Sequence, residues 1–158
     1  MNFEKLIDQT LAARQTVVRI LKSIKTEQAD TIPPTWKNNA RWHAGHLILT
    51  PALITFGILR EPLPVPDEYR KWFAKGTSPA EWDSGDPIPE YEDLCDDVVP
   101  SAGRLFDLIK PHLTQPFLEP YTTSAGVILH SPEEALNFSL FHDGIHLGML
   151  LALKRALG

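Results

Sequence analysis

The chain has 158 residues, of which 43% are hydrophobic and 22% charged, with a formal net charge of −5 and one cysteine, Cys95. These values predict one soluble domain, residues 1–158, and argue against binding to nucleic acid or anionic lipid. A single cysteine excludes an internal disulfide, which is consistent with a cytoplasmic protein. The most apolar stretch, 47–59, is interrupted by Pro51 and Gly57, so we expect no membrane span.

Two helices are predicted in the first 60 residues. Asn2 can cap a first helix that runs to about Lys25. A second helix is predicted from about Asn38 to Leu59, and its apolar character on most sides suits a central position. Because Pro51 removes one backbone hydrogen bond from this helix, we expect a kink close to His46.

The next segment, Glu61–Pro89, has a different composition. It contains six of the fourteen prolines and a set of aromatic residues, Tyr69, Trp72, Phe73 and Trp82. A flexible linker lacks such aromatic residues, so we expect an ordered loop. Short helical turns are predicted at Asp67–Phe73 and after Ser78, where a capping box begins. Long ordered loops of this kind often cover binding sites.

A third helix is predicted over about Glu90–Lys110, with Pro100 as a point where it could kink. A crossing segment, His112–His130, follows it. The motif Ser131-Pro-Glu-Glu134 combines a capping serine, a proline at the first helical position and a glutamate at the third, and it predicts a fourth helix to about Ala156. Four long helices without a convincing strand pattern predict an all-α four-helix bundle.

Two histidines of the fourth helix, His142 and His146, lie one helical turn apart and can converge on one ion. Within roughly 60° of His142 on the helical wheel are apolar residues, which predicts that the pair faces the core: Ala135, Phe138, Ile145, Met149 and Leu153. The helical wheel of the second helix likewise places His46 on a core-facing stripe. Buried imidazoles cost free energy without partners, and a metal ion is one such partner. The alternative is a set of core histidines bonded to backbone carbonyls.

The remaining histidines are not predicted as ligands, and the sequence leaves open whether His43 assists the site. His43 lies at the edge of the His46 stripe, and we predict that it is a surface or loop residue, together with His112 and His130. Asp143 points away from His142 on the helical wheel. We expect it to be solvated or to support a ligand, and its use as a ligand is the less favoured alternative.

A stripe of small residues, Gly144, Gly148 and Ala152, runs along another side of the fourth helix. Because two glycines inside a helix each cost about 1 kcal/mol relative to alanine, we expect the stripe to permit a close helix–helix approach. That approach could occur within the chain or in a homodimer.

Two motifs in this sequence resemble those of the DinB/YfiT-like superfamily. They are Arg41-Trp-His-Ala-Gly-His-Leu47 and His142-Asp-Gly-Ile-His-Leu-Gly-Met149. The resemblance implies a four-helix bundle whose metal ligands are one Gly-His histidine on the second helix and two HxxxH histidines on the last. These are His46, His142 and His146. Imidazole ligands suit several divalent metals, with zinc or nickel favoured and iron or manganese as alternatives.

The resemblance also implies a function. Members with an assigned activity are mostly metal-dependent transferases or isomerases that act with low-molecular-weight thiols. We therefore expect a small-molecule substrate and an activated thiol, although no catalytic residue is identified by the sequence. A metal-dependent hydrolase is an alternative, but it needs a general base and no carboxylate is predicted on the ligand faces. Two further alternatives are a non-catalytic metal-binding bundle and a purely structural one.

Overall fold

The computed structural model describes residues 2–158. Four long helices form a bundle: α1 (Phe3–Leu21), α2 (Ala40–Ala52), α4 (Tyr91–Ile109) and α5 (Pro132–Leu157). A short helix, α3 (Tyr69–Phe73), lies in the proline-rich loop. The predicted all-α bundle is confirmed.

Local capping signals place the helix starts correctly. The Asn2 side chain accepts a hydrogen bond from the Glu4 amide at 3.0 Å, and α1 begins at Phe3 as expected. The Ser131 hydroxyl accepts from the amide of Glu134 at 3.4 Å, and α5 begins at the following proline. The end of α1 was predicted less well, because the helix stops four residues before Lys25.

Helical conformation continues through Pro51 and widens into a π-helix over Leu53–Gly57. Proline has no N–H, so it cannot bond the carbonyl of Leu47 one turn earlier. That carbonyl instead accepts a hydrogen bond from Arg14 Nη2 of α1 at 2.8 Å. The proline therefore frees an acceptor in the centre of the bundle, and a buried arginine uses it.

The proline-rich loop is ordered and covers α2. The side chains of Tyr69, Trp72 and Phe73 in α3 are buried. A Cβ atom at Gly45 would overlap the Phe73 ring, so the missing side chain permits α3 to lie directly on α2. The predicted capping serine, Ser78, accepts from the Ala80 amide and starts a 3₁₀ turn.

The crossing segment contains a small antiparallel sheet that we did not predict. Strand β1 (Tyr121–Thr122) pairs with β2 (Ile128–Leu129), and Tyr121 lies opposite Leu129. Two-residue strands are too short to show the alternation of apolar and polar residues that identifies a strand in a sequence.

The prediction that the whole apolar stripe around His142 faces the core is wrong. Ala135 and Leu153 are buried, but Ile145 and Met149 are 43% and 38% exposed. Helical periodicity identifies an apolar face but does not distinguish a core from the wall of an open cavity.

The small-residue stripe of α5 also departs from expectation. A Cβ atom at Gly144 or Gly148 would meet nothing within 4 Å, and Ala152 is exposed. Within residues 2–158 the stripe therefore makes no close helix–helix contact.

Among the described residues, one helix, α5, is long and apolar enough to cross a membrane, judged by length and composition alone. It packs against α1 and α2. It also carries Asp143, which forms a buried ion pair with Arg14. One side of α5 therefore packs into the bundle, and 33% of its apolar window is buried.

Candidate metal centre

The three histidines predicted as ligands come together between α2 and α5. The Nε2 atom of His142 lies 3.2 Å from that of His46 and 3.1 Å from that of His146. One ring nitrogen from each of the three lies within 4.8 Å of the others. The group therefore could hold one metal ion.

The hydrogen-bond pattern of the three rings fits a shared cation. His46 Nδ1 lies 2.6 Å from the Phe73 carbonyl, which can only accept, so the proton of this ring is on Nδ1 and its Nε2 presents a lone pair. A single proton on His142 Nε2 can be donated well to only one of the two neighbouring nitrogens, whereas a cation between the rings could bind all three. With metal–nitrogen distances of about 2.0–2.1 Å, tetrahedral ligand nitrogens are about 3.3 Å apart. The two separations from His142 are close to this value, whereas the 4.8 Å limit for all three nitrogens is wider, so the rings would adjust to hold one ion.

His46 is held in place by two neighbours. Besides the bond to the Phe73 carbonyl, its ring stacks on Trp42 with centroids 4.4 Å apart and an interplanar angle of 15°. The Trp42 indole N–H in turn donates to Thr77 Oγ1 at 2.8 Å. The absence of a side chain at Gly45 brings the Phe73 carbonyl within reach. The Gly-His motif thus supplies both a candidate ligand and the space that orients it.

His43 was wrongly predicted to lie at the surface. Its side chain is completely buried, and its Nδ1 atom lies 2.9 Å from Nδ1 of His146. Metal-binding histidines commonly bond a second group through the other ring nitrogen, which fixes the tautomer. The sequence signal was present, because His43 precedes His46 by three residues and so occupies a neighbouring position on the helix surface.

Burial keeps all four rings neutral near pH 7. It lowers the pKa of His43 and His46 to about 4 and that of His142 to about 3. The pKa of His146 falls to about 2, with a further contribution from the neighbouring histidines. Neutral imidazole is the form that binds a metal ion.

Comparisons with known proteins identify the family and the fold of this chain. The sequence pattern of the DinB superfamily matches residues 9–150. The chain belongs to the DinB superfamily. The crystal structure of a conserved protein from Enterococcus faecalis is similar to this DinB superfamily member, with a TM-score of 0.65 and 14% sequence identity over 99% of this chain and 97% of that chain. At that identity the likeness shows the fold alone. No curated protein matches this chain.

Asp143, between the two histidines of α5, is not part of the three-histidine group of this DinB-type bundle. Its carboxylate accepts from Arg14 Nε at 2.9 Å and from Arg14 Nη2 at 3.3 Å, and both side chains are buried. Arg14 also donates to the carbonyls of Leu47 and Val98. Burial raises the pKa of Asp143, and the guanidinium opposes that rise. The pair connects α1, α2, α4 and α5 beside the histidines, and Arg14 was not identified from the sequence.

A cavity of about 350 Å³ opens directly onto the three histidines. Its apolar wall comes from the π-helix and from α5 and includes Leu53, Phe138 and Met149. Thr50 Oγ1 lies 3.1 Å from His46 Nε2 and adds a hydroxyl to the cavity lining. The volume is at the lower end of the roughly 300–1,000 Å³ that small-molecule sites occupy.

The other two histidines lie away from this centre. His130 is exposed and contacts Glu134, and His112 is partly exposed and contacts Gln115. Both lie in the segment where they were expected, and they provide control positions for experiments on the site.

Proposed function

We propose that this protein is a divalent-metal-dependent enzyme that activates a low-molecular-weight thiol, of the S-transferase or isomerase type. One observation carries the proposal: three neutral imidazole nitrogens converge on the wall of a cavity that is large enough for a small molecule. Zinc or nickel is the metal that we favour for an all-imidazole site, with iron or manganese as alternatives.

The three histidines, as neutral ligands, would leave the charge of the ion uncompensated. When bound, a divalent cation of this kind lowers the pKa of a thiol or water next to it and stabilises the ionised form. His46, His142 and His146 would hold the ion, and Phe73 and His43 would fix the orientation of two of these rings. The apolar wall of the cavity would exclude water from the thiolate and the electrophile.

The lining of the cavity favours thiol activation over hydrolysis. Among residues 2–158, no aspartate or glutamate lines the cavity, and the nearby Asp143 is engaged by Arg14. Hydrolysis benefits from a general base beside the attacking water. A thiol ionised next to a cation is already a strong nucleophile and requires no such base.

The test uses protein reconstituted with zinc or nickel and a panel of small thiols with 1-chloro-2,4-dinitrobenzene as electrophile. We expect metal-dependent thioether formation that exceeds the uncatalysed rate. The His142→Ala/His146→Ala double variant should lose both metal and activity, whereas the His130→Ala variant should keep both. Full activity in a double variant without metal would contradict the proposal.

The same assay separates the alternatives. Metal-dependent cleavage of p-nitrophenyl acetate without thiol turnover would favour a hydrolase. Reversible metal binding without turnover of the thiol panel or of p-nitrophenyl acetate would favour a non-catalytic metal-binding bundle.

The cytoplasmic location and the homodimer remain predictions. A reducing compartment would keep a thiol substrate available. The exposed small-residue stripe on α5 leaves room for a second copy of the chain, and sedimentation equilibrium tests that expectation.

A further inference from the structure

The charge around the metal-site cavity differs in sign from that of the whole chain. The chain has a formal net charge of −5. Two lysines, Lys37 and Lys75, contribute to the cavity lining, and within residues 2–158 the lining contains no aspartate or glutamate. The cavity is therefore a positively charged region on an acidic protein, even before the charge of a metal ion is added.

The two cavity lysines lack carboxylate partners among the described residues, in contrast to Lys22 and Lys71. Lys37 Nζ donates to the carbonyl of Gly76 at 2.9 Å, which holds its ammonium group at the rim without neutralising it. Lys75 is exposed. Lys22 and Lys71, which lie away from the cavity, pair with Asp96 and Asp86.

Another part of the cavity lining is apolar. Ile145 and Met149 line it and are 43% and 38% exposed, and the partly buried Phe138 also lines it. When an apolar ligand group displaces water from a large apolar side chain in a concave site, the displacement favours binding. The hairpin segment adds the hydroxyls of Thr123 and Ser124.

We propose that the ligand of this cavity is a small amphipathic anion: a thiol with a carboxylate or similar negative group on a short apolar skeleton. The negative group would lie near Lys37 and Lys75, the apolar part against Ile145 and Met149, and the sulfur near the three histidines. This inference rests on the proposed function for the sulfur and on the cavity charge for the negative group.

The experiment uses the Co(II)-substituted full-length protein and three small thiols that differ in charge: 3-mercaptopropionate, 2-mercaptoethanol and cysteamine. Binding of sulfur is followed by the thiolate-to-cobalt charge-transfer absorption in the near ultraviolet. We expect 3-mercaptopropionate to bind more tightly than 2-mercaptoethanol, and cysteamine to bind most weakly. Added salt should reduce this preference, because it screens exposed charges.

Variants isolate the contribution of the lysines. Lys75→Gln, which removes no hydrogen bond found in the structure, should reduce the affinity ratio of 3-mercaptopropionate to 2-mercaptoethanol by about 3- to 5-fold. Lys37→Gln/Lys75→Gln should reduce it further. The control is Lys154→Gln, which removes an exposed lysine that does not line the cavity. The thiols differ in acidity, but this difference is the same for every variant, so it cancels when the affinity ratios of the variants are compared.

The outcomes distinguish this inference from the proposed function. Charge-transfer absorption with equal ratios in the wild-type protein and both lysine variants would overturn the anionic ligand and leave thiol binding intact. Absence of the absorption with all three thiols, in protein that contains cobalt, would overturn the proposed function itself, and this inference with it.

Discussion

His43 and His146 face each other inside the bundle with their Nδ1 atoms 2.9 Å apart. If His146 binds a metal through Nε2, its proton is on Nδ1, and His43 must accept that hydrogen bond through an unprotonated Nδ1. The burial that lowers the pKa of His43 to about 4 keeps it in the neutral form that can accept. A histidine that touches no metal would then determine which nitrogen of His146 is available for one.

His43→Phe should weaken metal binding by about 10- to 100-fold, because the loss of a hydrogen-bond partner leaves the His146 ring free to reorient. His43→Asn, which keeps an acceptor oxygen, should recover part of that affinity. Competition with a chromophoric chelator measures the dissociation constants, and His112→Ala serves as the control. Equal affinities for His43→Phe and wild type would show that His43 has no orienting role.

Removal of one member of the buried ion pair should strongly destabilise the fold. Asp143→Leu leaves the Arg14 guanidinium without its anion inside the bundle, and we expect a loss of about 3–5 kcal/mol in the free energy of unfolding. The matched control is Asp97→Ala, which breaks a surface pair with Arg104 and should cost less than about 1 kcal/mol. Urea denaturation of both variants provides the comparison. Similar small losses would contradict the structural role of the Arg14–Asp143 pair.

A methyl group at position 45 should disturb both packing and the metal site. Gly45→Ala places a Cβ atom into the Phe73 ring, so α3 must move away and carry the Phe73 carbonyl from His46. We expect a loss of about 1–3 kcal/mol from overpacking, together with weaker metal binding. Gly103→Ala in α4 has open space around its Cβ, and it should instead stabilise by about 0.5–1 kcal/mol. Thermal denaturation measures the stability of both variants. A Gly45→Ala variant that is stabilised as Gly103→Ala is would contradict this account.

The metal-free protein should lose stability as the pH falls below about 6.5. The folded state lowers the pKa of His43 and His46 from 6.5 to about 4, so between these values the unfolded state binds more protons and stability rises with pH. We expect the free energy of unfolding to fall by at least about 2 kcal/mol between pH 7.5 and 5. Urea denaturation at fixed ionic strength measures it. A free energy of unfolding that stays constant over this pH range would show that the imidazoles are exposed to solvent in the folded protein.

Features set by neighbouring residues could be predicted from the sequence. Asn2 and Ser131 mark helix starts because a cap is a contact between residues two or three positions apart. His142 and His146 follow from the helical repeat in the same way. The position of His46 required the resemblance in addition, because nothing local specifies which helix lies opposite α5.

Features that depend on packing between distant segments were missed. Arg14 shares an apolar face of α1 with Leu6, Val17 and Leu21, which is an unusual place for a charge, but its partner Asp143 is 129 residues away. Likewise, the periodicity of α5 indicates an apolar face and cannot show that Ile145 lies beside a cavity. The position of a cavity depends on how all the helices pack together, and the pattern of one helix does not contain that information.

The most direct test of the account is the metal content of tag-free protein purified without chelator, compared with its His46→Ala and His130→Ala variants. The account predicts about one zinc or nickel ion per chain in the wild-type protein and in His130→Ala, and its loss from His46→Ala. No bound metal in the wild-type protein, even after supply of zinc, nickel, iron and manganese, would contradict the account and leave a cluster of buried histidines without a metal.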